Sequence, residues 1–255
     1  MNESDSSPVE SEHRRPYRGE ATGWLSRAIW PFATWFAAQS TIPFIMLFLF
    51  ALNRTRVYGR HRIPMETNTL LLSNHQSMID SFLLVFAAFV PREIVQPSLL
   101  PWHPAAEENF FRNRVIAWVF TMLKCIPVRR GRPDLKAINR SIRALQEGTM
   151  ILFPEGTRTR DGSVGRARPG AGLLLLETGA SVVPVTITGM DRVLPIGAFF
   201  PRFGHRVSVY FGRPIDYADL AGEPRSRETA QRLVDRVMDR IRFQQRVIER
   251  MAARR

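Results

Sequence analysis

The chain of 255 residues holds one cysteine, Cys125, which excludes an internal disulfide framework and a cysteine-based zinc cluster and fits a reducing compartment. Its five histidines are scattered, with no His-x3-His pair and no clustered carboxylates, so no metal site is expected. Acid is scarce as well: 23 Asp and Glu against 36 Lys and Arg leave a net charge of +13. That balance points to an anionic partner, whether nucleic acid, a membrane surface or a phosphorylated metabolite. No nucleic-acid-binding module accompanies the charge, and no stacking aromatics are interleaved with the arginines of the last helix, so nucleic acid is not the expected partner. No G-x-S-x-G elbow is present.

What is present begins with a polar tail. Residues 1–23 are rich in Ser, Glu, Pro and Arg with almost no large apolar side chains, which predicts a disordered segment without a cleavable signal. Residues 28–52 then carry no charge at all. That length could span a bilayer core of about 30 Å, but Pro31 and Pro43, with Gln39, Ser40 and Thr41 between them, divide it into two pieces better suited to dipping into one leaflet. Arginines flank it on both sides, at Arg14, Arg15, Arg18 and Arg27 before and Arg54, Arg56, Arg60 and Arg62 after. A hairpin places both flanks at anionic cytoplasmic headgroups, and Trp24, Trp30 and Trp35 suit the interface. The expected organisation is a tail over 1–23, a membrane-associated helical hairpin over 24–56, monotopic at the cytoplasmic face of the cell membrane, and one catalytic domain over 57–255. The plainer alternative is an amphipathic helical pair packed on a soluble core.

In that domain, strand-like and helix-like stretches alternate. Leu70 to Leu72 form a buried strand; Glu93 to Leu100 suggest another, after which Pro101 and Pro104 predict loop. A helix is predicted over 109–124, an edge strand over 125–128 because of Pro127, a helix over 134–146 and a buried strand over 149–153. A loop over 154–169, a helix over 171–178, strands over 181–187 and 206–211, and a final basic amphipathic helix over 225–252 complete the series. This is the βαβ alternation of an α/β fold with a mixed, largely parallel sheet flanked by helices.

Chemistry is expected at two joins. In L-L-L-S-N-H-Q-S-M-I-D-S, over 70–81, the strand ends in His75 and Asp80 follows five residues later. Residues five apart on an ideal helix point about 140° apart. If His75 precedes the first turn and Asp80 lies in it, the carboxylate reaches back, fixes the tautomer and leaves a loop-borne base near neutral pH. His75 as a turn residue with Asp80 favouring the helix dipole is the alternative. The second join is F-P-E-G-T-R-T-R-D over 153–161, leaving a sheet at a strand's C-terminal end, where open α/β sheets place ligands. Arg158 can take a phosphate bidentately, and Glu155 can accept from a hydroxyl or hold the arginine. Arg129 and Arg130 could converge on the same anion; a solvated basic turn is the other reading of each.

N-H-Q-S-M-I-D at 74–80, C-I-P-V-R-R at 125–130, F-P-E-G-T-R-T at 153–159 and V-V-P-V at 182–185 stand in the order and spacing of the four blocks of glycerolipid acyltransferases. The chain resembles the lysophosphatidic acid acyltransferase family over about 58–212. The resemblance implies the glycerolipid acyltransferase fold, His75 as general base, and Asp80 as its orienting partner. It also implies that Arg130, Glu155 and Arg158 bind the acceptor's glycerol phosphate, that Gly156 and Thr157 shape that loop, and that Pro184 borders the acyl chain or closes the site. The N-terminal apolar hairpin resembles the membrane-dipping pair of bacterial members. Lys124 stands where glycine is usual, Arg129 where acid is common, Gln96 where many members have lysine, and Thr159 where serine is frequent.

The function so implied is transfer of a fatty acyl group from a thioester, acyl-CoA or acyl carrier protein as co-substrate and no cofactor, to the free hydroxyl of a lysophospholipid acceptor. Lysophosphatidic acid is the expected acceptor, with lyso-ornithine lipid or lysophosphatidylglycerol as alternatives. Backbone N–H groups over 74–77 are candidates for the oxyanion donor. Three competitors stand beside it: ping-pong chemistry through Ser77, hydrolysis by the same dyad, and a membrane-surface protein that binds anionic lipid without catalysis.

Overall fold

In a computed structural model of the protein, the structure describes residues 46–92, 96, 99–111, 113–129 and 135–253, with single positions at 29, 32, 35, 36, 40 and 44. The polar tail, about half of the expected hairpin and Arg130 lie outside the described residues. No helix among the described residues is long and apolar enough to cross a membrane.

Among the described residues, seven strands form the frame: β1 (Arg54–Tyr58), β2 (Thr69–Ser73), β3 (His103–Ala106), β4 (Cys125–Val128), β5 (Thr149–Leu152), β6 (Ser181–Thr188) and β7 (Arg206–Phe211). Five make one sheet in the order β1-β7-β6-β2-β5, and β3 pairs with β4. Trp102 joins the two, its N–H donating to the Thr149 carbonyl at 2.9 Å and its carbonyl accepting from Ile151 N–H at 2.8 Å. All pairings are parallel except β6 with β7. That one reversal turns β7 and β1 around. The N-terminal ends of β1 and β7 therefore lie at the same end of the sheet as the C-terminal ends of β2 and β6.

Alternate residues of each strand serve opposite faces. Leu71, Ile151, Val183 and Val209 pack with α1 (Asp80–Phe89), which is buried on every side from Leu83 to Phe89. Leu70, Leu72, Met150 and Val182 pack with α4 (Leu135–Glu147), α5 (Gly170–Thr178) and α8 (Arg227–Ala253). Helices α5 and α8 cross so closely that a Cβ on Gly172 would run into the Ala230 carbonyl. The short helices α2 (Glu107–Phe110), α3 (Arg114–Met122), α6 (Met190–Val193) and α7 (Ala218–Ala221), a π-helical turn at Leu47–Leu52 and a 3-10 turn at Arg60–Arg62 are the other described elements.

Several expectations are corrected. The predicted helix over 109–124 is two pieces, α2 and α3, with bends at Phe111 and Asn113. Pro104 lies in a strand and not in a loop. His103 N–H donates to the Lys124 carbonyl across the β3–β4 pair, so by alternation Pro104 turns its missing N–H away from that ladder. The strand expected over 93–100 does not extend to Leu99 and Leu100, which form a tight turn; 93–95, 97 and 98 are outside the described residues. Strand β1 begins at Arg54, so Arg54 and Arg56 belong to the sheet. Lys124 has φ +57°, a left-handed conformation that glycine adopts at no steric cost.

Arg60 and Arg62, counted in the basic flank, turn into the fold. Arg62 Nη1 donates to the Tyr210 hydroxyl at 3.0 Å and the Phe211 carbonyl at 3.2 Å, and Arg60 donates to the Ala88 and Val90 carbonyls. Both hold the end of the sheet remote from His75. A cavity of about 810 Å³ opens there, lined by Arg62, Tyr210, Arg213 and Arg240.

Candidate active site

Strand β2 ends at Ser73, and the next six residues make the turn that holds His75 before α1 starts at Asp80. His75 precedes the helix, and Asp80, in its first turn, reaches back to it. Asp80 Oδ2 lies 3.0 Å from His75 Nδ1, with the aspartate side chain fully buried and the histidine 15% exposed. The same oxygen accepts Gln76 N–H at 2.7 Å and Ser77 N–H at 2.8 Å. Three donors thus converge on one carboxylate oxygen, which fixes its direction. With Nδ1 turned to Asp80, the free lone pair of the neutral imidazole is on Nε2.

The N–H groups of Gln76 and Ser77 are engaged by Asp80, so these two members of the expected oxyanion-donor set are already committed. Ser77 is buried and its Oγ donates to the Leu194 carbonyl at 3.1 Å, not toward His75. The turn is also clamped from outside. Asn74 exchanges two bonds with Ile187 of β6, donating to its carbonyl at 2.9 Å and accepting its N–H at 2.8 Å. Gln76 donates to the Gly162 carbonyl at 2.9 Å and accepts Met190 N–H at 3.1 Å.

The second join lies against the first. Phe153, directly after β5, stacks on the His75 ring with centroids 4.1 Å apart and planes 15° from parallel. Thr159 N–H donates to the His75 carbonyl at 2.9 Å. The loop between them turns at Gly156, whose φ of +69° calls for glycine, and the Thr157 hydroxyl donates to the Arg158 carbonyl at 3.1 Å. Gly156 also faces the side chain of Arg168, a basic residue that the sequence did not single out. Arg158 is half-buried one residue from Thr159.

Glu155 turns inward. It is 4% exposed, and neither carboxylate oxygen closes a hydrogen bond. Its side chain points inward beneath the turn, against Gly165, and does not hold Arg158. Burial pushes its carboxyl up to about 7; the backbone N–H groups of Gly165 and His75 lie toward it and pull the value down, the Asp80 charge raises it, and Arg242 lowers it. Arg129 does not turn to an anion site either, since its Nε pairs with Glu107 Oε2 at 2.9 Å on the surface. Arg130 falls outside the described residues, and Pro184 lies within buried β6.

The arrangement is an imidazole with an oriented carboxylate behind it, an aromatic ring beneath it, and a glycine- and arginine-bearing loop tied to its backbone. Residues 54–188 match the sequence model of the family described as Acyltransferase, which covers more than half of the chain. The chain belongs to the Acyltransferase family. Among curated relatives, a chloroplast 1-acyl-sn-glycerol-3-phosphate acyltransferase of Arabidopsis thaliana is 27% identical over 83% of this chain and 54% of its own length. Tafazzin of Drosophila melanogaster is 29% identical over 84% of this chain and 61% of its own, and a 1-acyl-sn-glycerol-3-phosphate acyltransferase of Borreliella burgdorferi is 28% identical over 51% and 50%. The chain therefore spans between half and two thirds of the length of these relatives. The acyltransferase fold is shared with the crystal structure of the 1-acyl-sn-glycerophosphate acyltransferase PlsC from Thermotoga maritima, at a TM-score of 0.61 and 23% identity over 88% of this chain and 80% of that one.

Proposed function

We propose that the protein transfers a fatty acyl group from an acyl thioester to the free hydroxyl of a lysophospholipid, with lysophosphatidic acid as acceptor and phosphatidic acid as product. The observation that carries the reading is the His75–Asp80 pair at 3.0 Å in a turn clamped to the loop of 153–159. In one displacement, His75 Nε2 takes the acceptor's hydroxyl proton as that oxygen attacks the thioester carbonyl, forming a C–O bond. The tetrahedral intermediate collapses with loss of the C–S bond, and the imidazolium returns the proton to the departing thiolate. Asp80 stabilises the imidazolium between these steps and keeps the tautomer. Arg158, with Arg130, binds the acceptor phosphate, and Gly156 and Thr157 set the loop that presents it. Glu155 acts beneath the loop.

The enzyme works at the cytoplasmic face of the cell membrane, where its acceptor resides. The apolar stretch over 24–56 holds it there, behind the polar tail of 1–23, while the domain over 57–255 carries the chemistry. The +13 charge supports this reading, because both the headgroup layer and the acceptor are anionic.

The test is purified full-length protein with acyl-CoA or acyl carrier protein as donor, a panel of lysophosphatidic acid, lysophosphatidylglycerol and lyso-ornithine lipid, and mass spectrometry of the product. Phosphatidic acid formed in proportion to released thiol is the expected result. Thiol release without acceptor would assign a hydrolase, and near-wild-type turnover by His75→Ala would remove the dyad mechanism.

A further inference from the structure

The segment between α6 and β7 carries the two most exposed large hydrophobic side chains among the described residues, Phe199 at 94% and Phe200 at 85%. They form the tip of P-I-G-A-F-F-P-R-F-G over 195–204. The base of this loop is not loose. Arg202 N–H donates to the Val193 carbonyl at 2.7 Å, and the neighbouring Leu194 carbonyl accepts the hydroxyl of Ser77, within the turn that carries His75. On its other side, Phe203 meets Phe48 edge-on at 5.6 Å, and Gly204 N–H donates to the Leu52 carbonyl at 2.9 Å. The loop therefore joins the catalytic turn to the end of the charge-free N-terminal stretch.

The charge along the segment that carries the tip is of one sign. Positions 192–206 contain no Asp or Glu, and Arg192, Arg202 and Arg206 are exposed. Exposed Arg54 stands opposite Arg206 in the β1–β7 pair. Two protruding phenylalanines above a basic collar fit a surface with an apolar interior and anionic headgroups, which requires no matching shape from its partner.

We propose that Phe199 and Phe200 form a membrane anchor of their own, separate from the N-terminal stretch. They insert into an anionic bilayer beside His75, with Arg192, Arg202, Arg206 and Arg54 at the headgroup phosphates. This goes beyond the acyl-transfer reading and does not require it. Because the loop is bonded to the catalytic turn at Leu194, insertion sets the height of His75 above the headgroups.

The test uses the full chain labelled with the environment-sensitive fluorophore NBD on Phe200→Cys; native Cys125 is buried at 1% exposure and does not compete for label. Arg213→Cys, at the remote end of the sheet, is the control. With phosphatidylcholine vesicles containing phosphatidylglycerol, the label at 200 is expected to brighten and shift to the blue while that at 213 does not. Phe199→Ser with Phe200→Ser should lower partition onto the same vesicles by about tenfold or more, since each ring removes large apolar area from the buried surface. Transfer to a detergent-dispersed acceptor should be unchanged in that variant. An unchanged label at 200 on vesicle-bound protein would overturn the proposal, as would a full chain that does not bind these vesicles and engages a protein partner through the loop instead. The readout is optical, so failure to transfer an acyl group would overturn the function proposed above and leave this result standing.

Discussion

Replacing Asp80 by asparagine isolates charge from geometry. The carboxylate is fully buried, and its Oδ2 accepts His75 Nδ1 at 3.0 Å, Gln76 N–H at 2.7 Å and Ser77 N–H at 2.8 Å. Alanine would strand two buried N–H donors, at about 1–3 kcal/mol each, and confuse unfolding with loss of chemistry. Asparagine keeps an oxygen for those donors, so the turn should hold and the melting temperature should stay near that of the wild type. What disappears is the negative charge facing the imidazolium of the proposed transfer. A unit charge pair about 4 Å apart at an effective dielectric near 20 is worth about 4 kcal/mol, which corresponds to about a thousandfold in rate. The same exchange in a serine-protease triad lowers kcat by about 10⁴ without disturbing the geometry. The expected fall in kcat is therefore about 10²- to 10⁴-fold, with KM for the acceptor little changed, followed by thiol release from acyl-CoA with lysophosphatidic acid and paired with calorimetry. Turnover within about threefold of wild type at an unchanged melting temperature would refute the assignment of Asp80 as the group that stabilises the imidazolium.

Phe153→Ala removes the ring stacked 4.1 Å from His75, and kcat should fall by about tenfold as the imidazole gains freedom, with KM nearly constant in steady-state assays. Asn74→Ala strands the N–H and carbonyl of Ile187 in the core, and thermal unfolding should show a loss of about 2–4 kcal/mol. Glu155 is held neutral to about 7, above the ordinary 4.5, so the folded chain binds its proton more tightly than the unfolded chain. That contribution is fully present below about 4.5 and is lost as pH rises through about 7. Denaturant titrations of Glu155→Gln should therefore gain on wild type between pH 5 and pH 8, by at most about 3 kcal/mol, and a constant difference across that window would reject the buried-carboxyl account.

Much of this was legible in the sequence because local pattern and tertiary role agree. A three-leucine run buried on both faces reads as a strand, and Asp80 at the head of an apolar helix can only reach a residue that precedes it. Pro127 marks an edge strand, as β4 is. The features missed depend on partners remote in the chain. Nothing in Asn74 or Gln76 names Ile187, Gly162 or Met190, and the position of Phe153 under the imidazole follows from β2 and β5 being neighbours, which strand order alone decides. Pro104 misled because proline was weighed without the direction of its missing N–H. Arg60 and Arg62 misled because charge was counted without direction, and both turn into the fold. Glu155 looked like a ligand for a hydroxyl in a loop motif, yet the chain folds its carboxyl inward.

The single antiparallel pairing of β6 with β7 has a consequence for the work of lifting a lipid. Were β7 and β1 turned the other way, the apolar stretch before Arg54 would leave the sheet at the opposite end of β1, about 16 Å away for its five residues. An acceptor would then have to leave the bilayer almost completely to meet His75. At about 0.8 kcal/mol for each methylene drawn into water, extracting a long acyl chain costs on the order of 10 kcal/mol. On the proposed function, the one reversed pairing would let the hydroxyl come to the imidazole while its hydrocarbon tail stays in the bilayer.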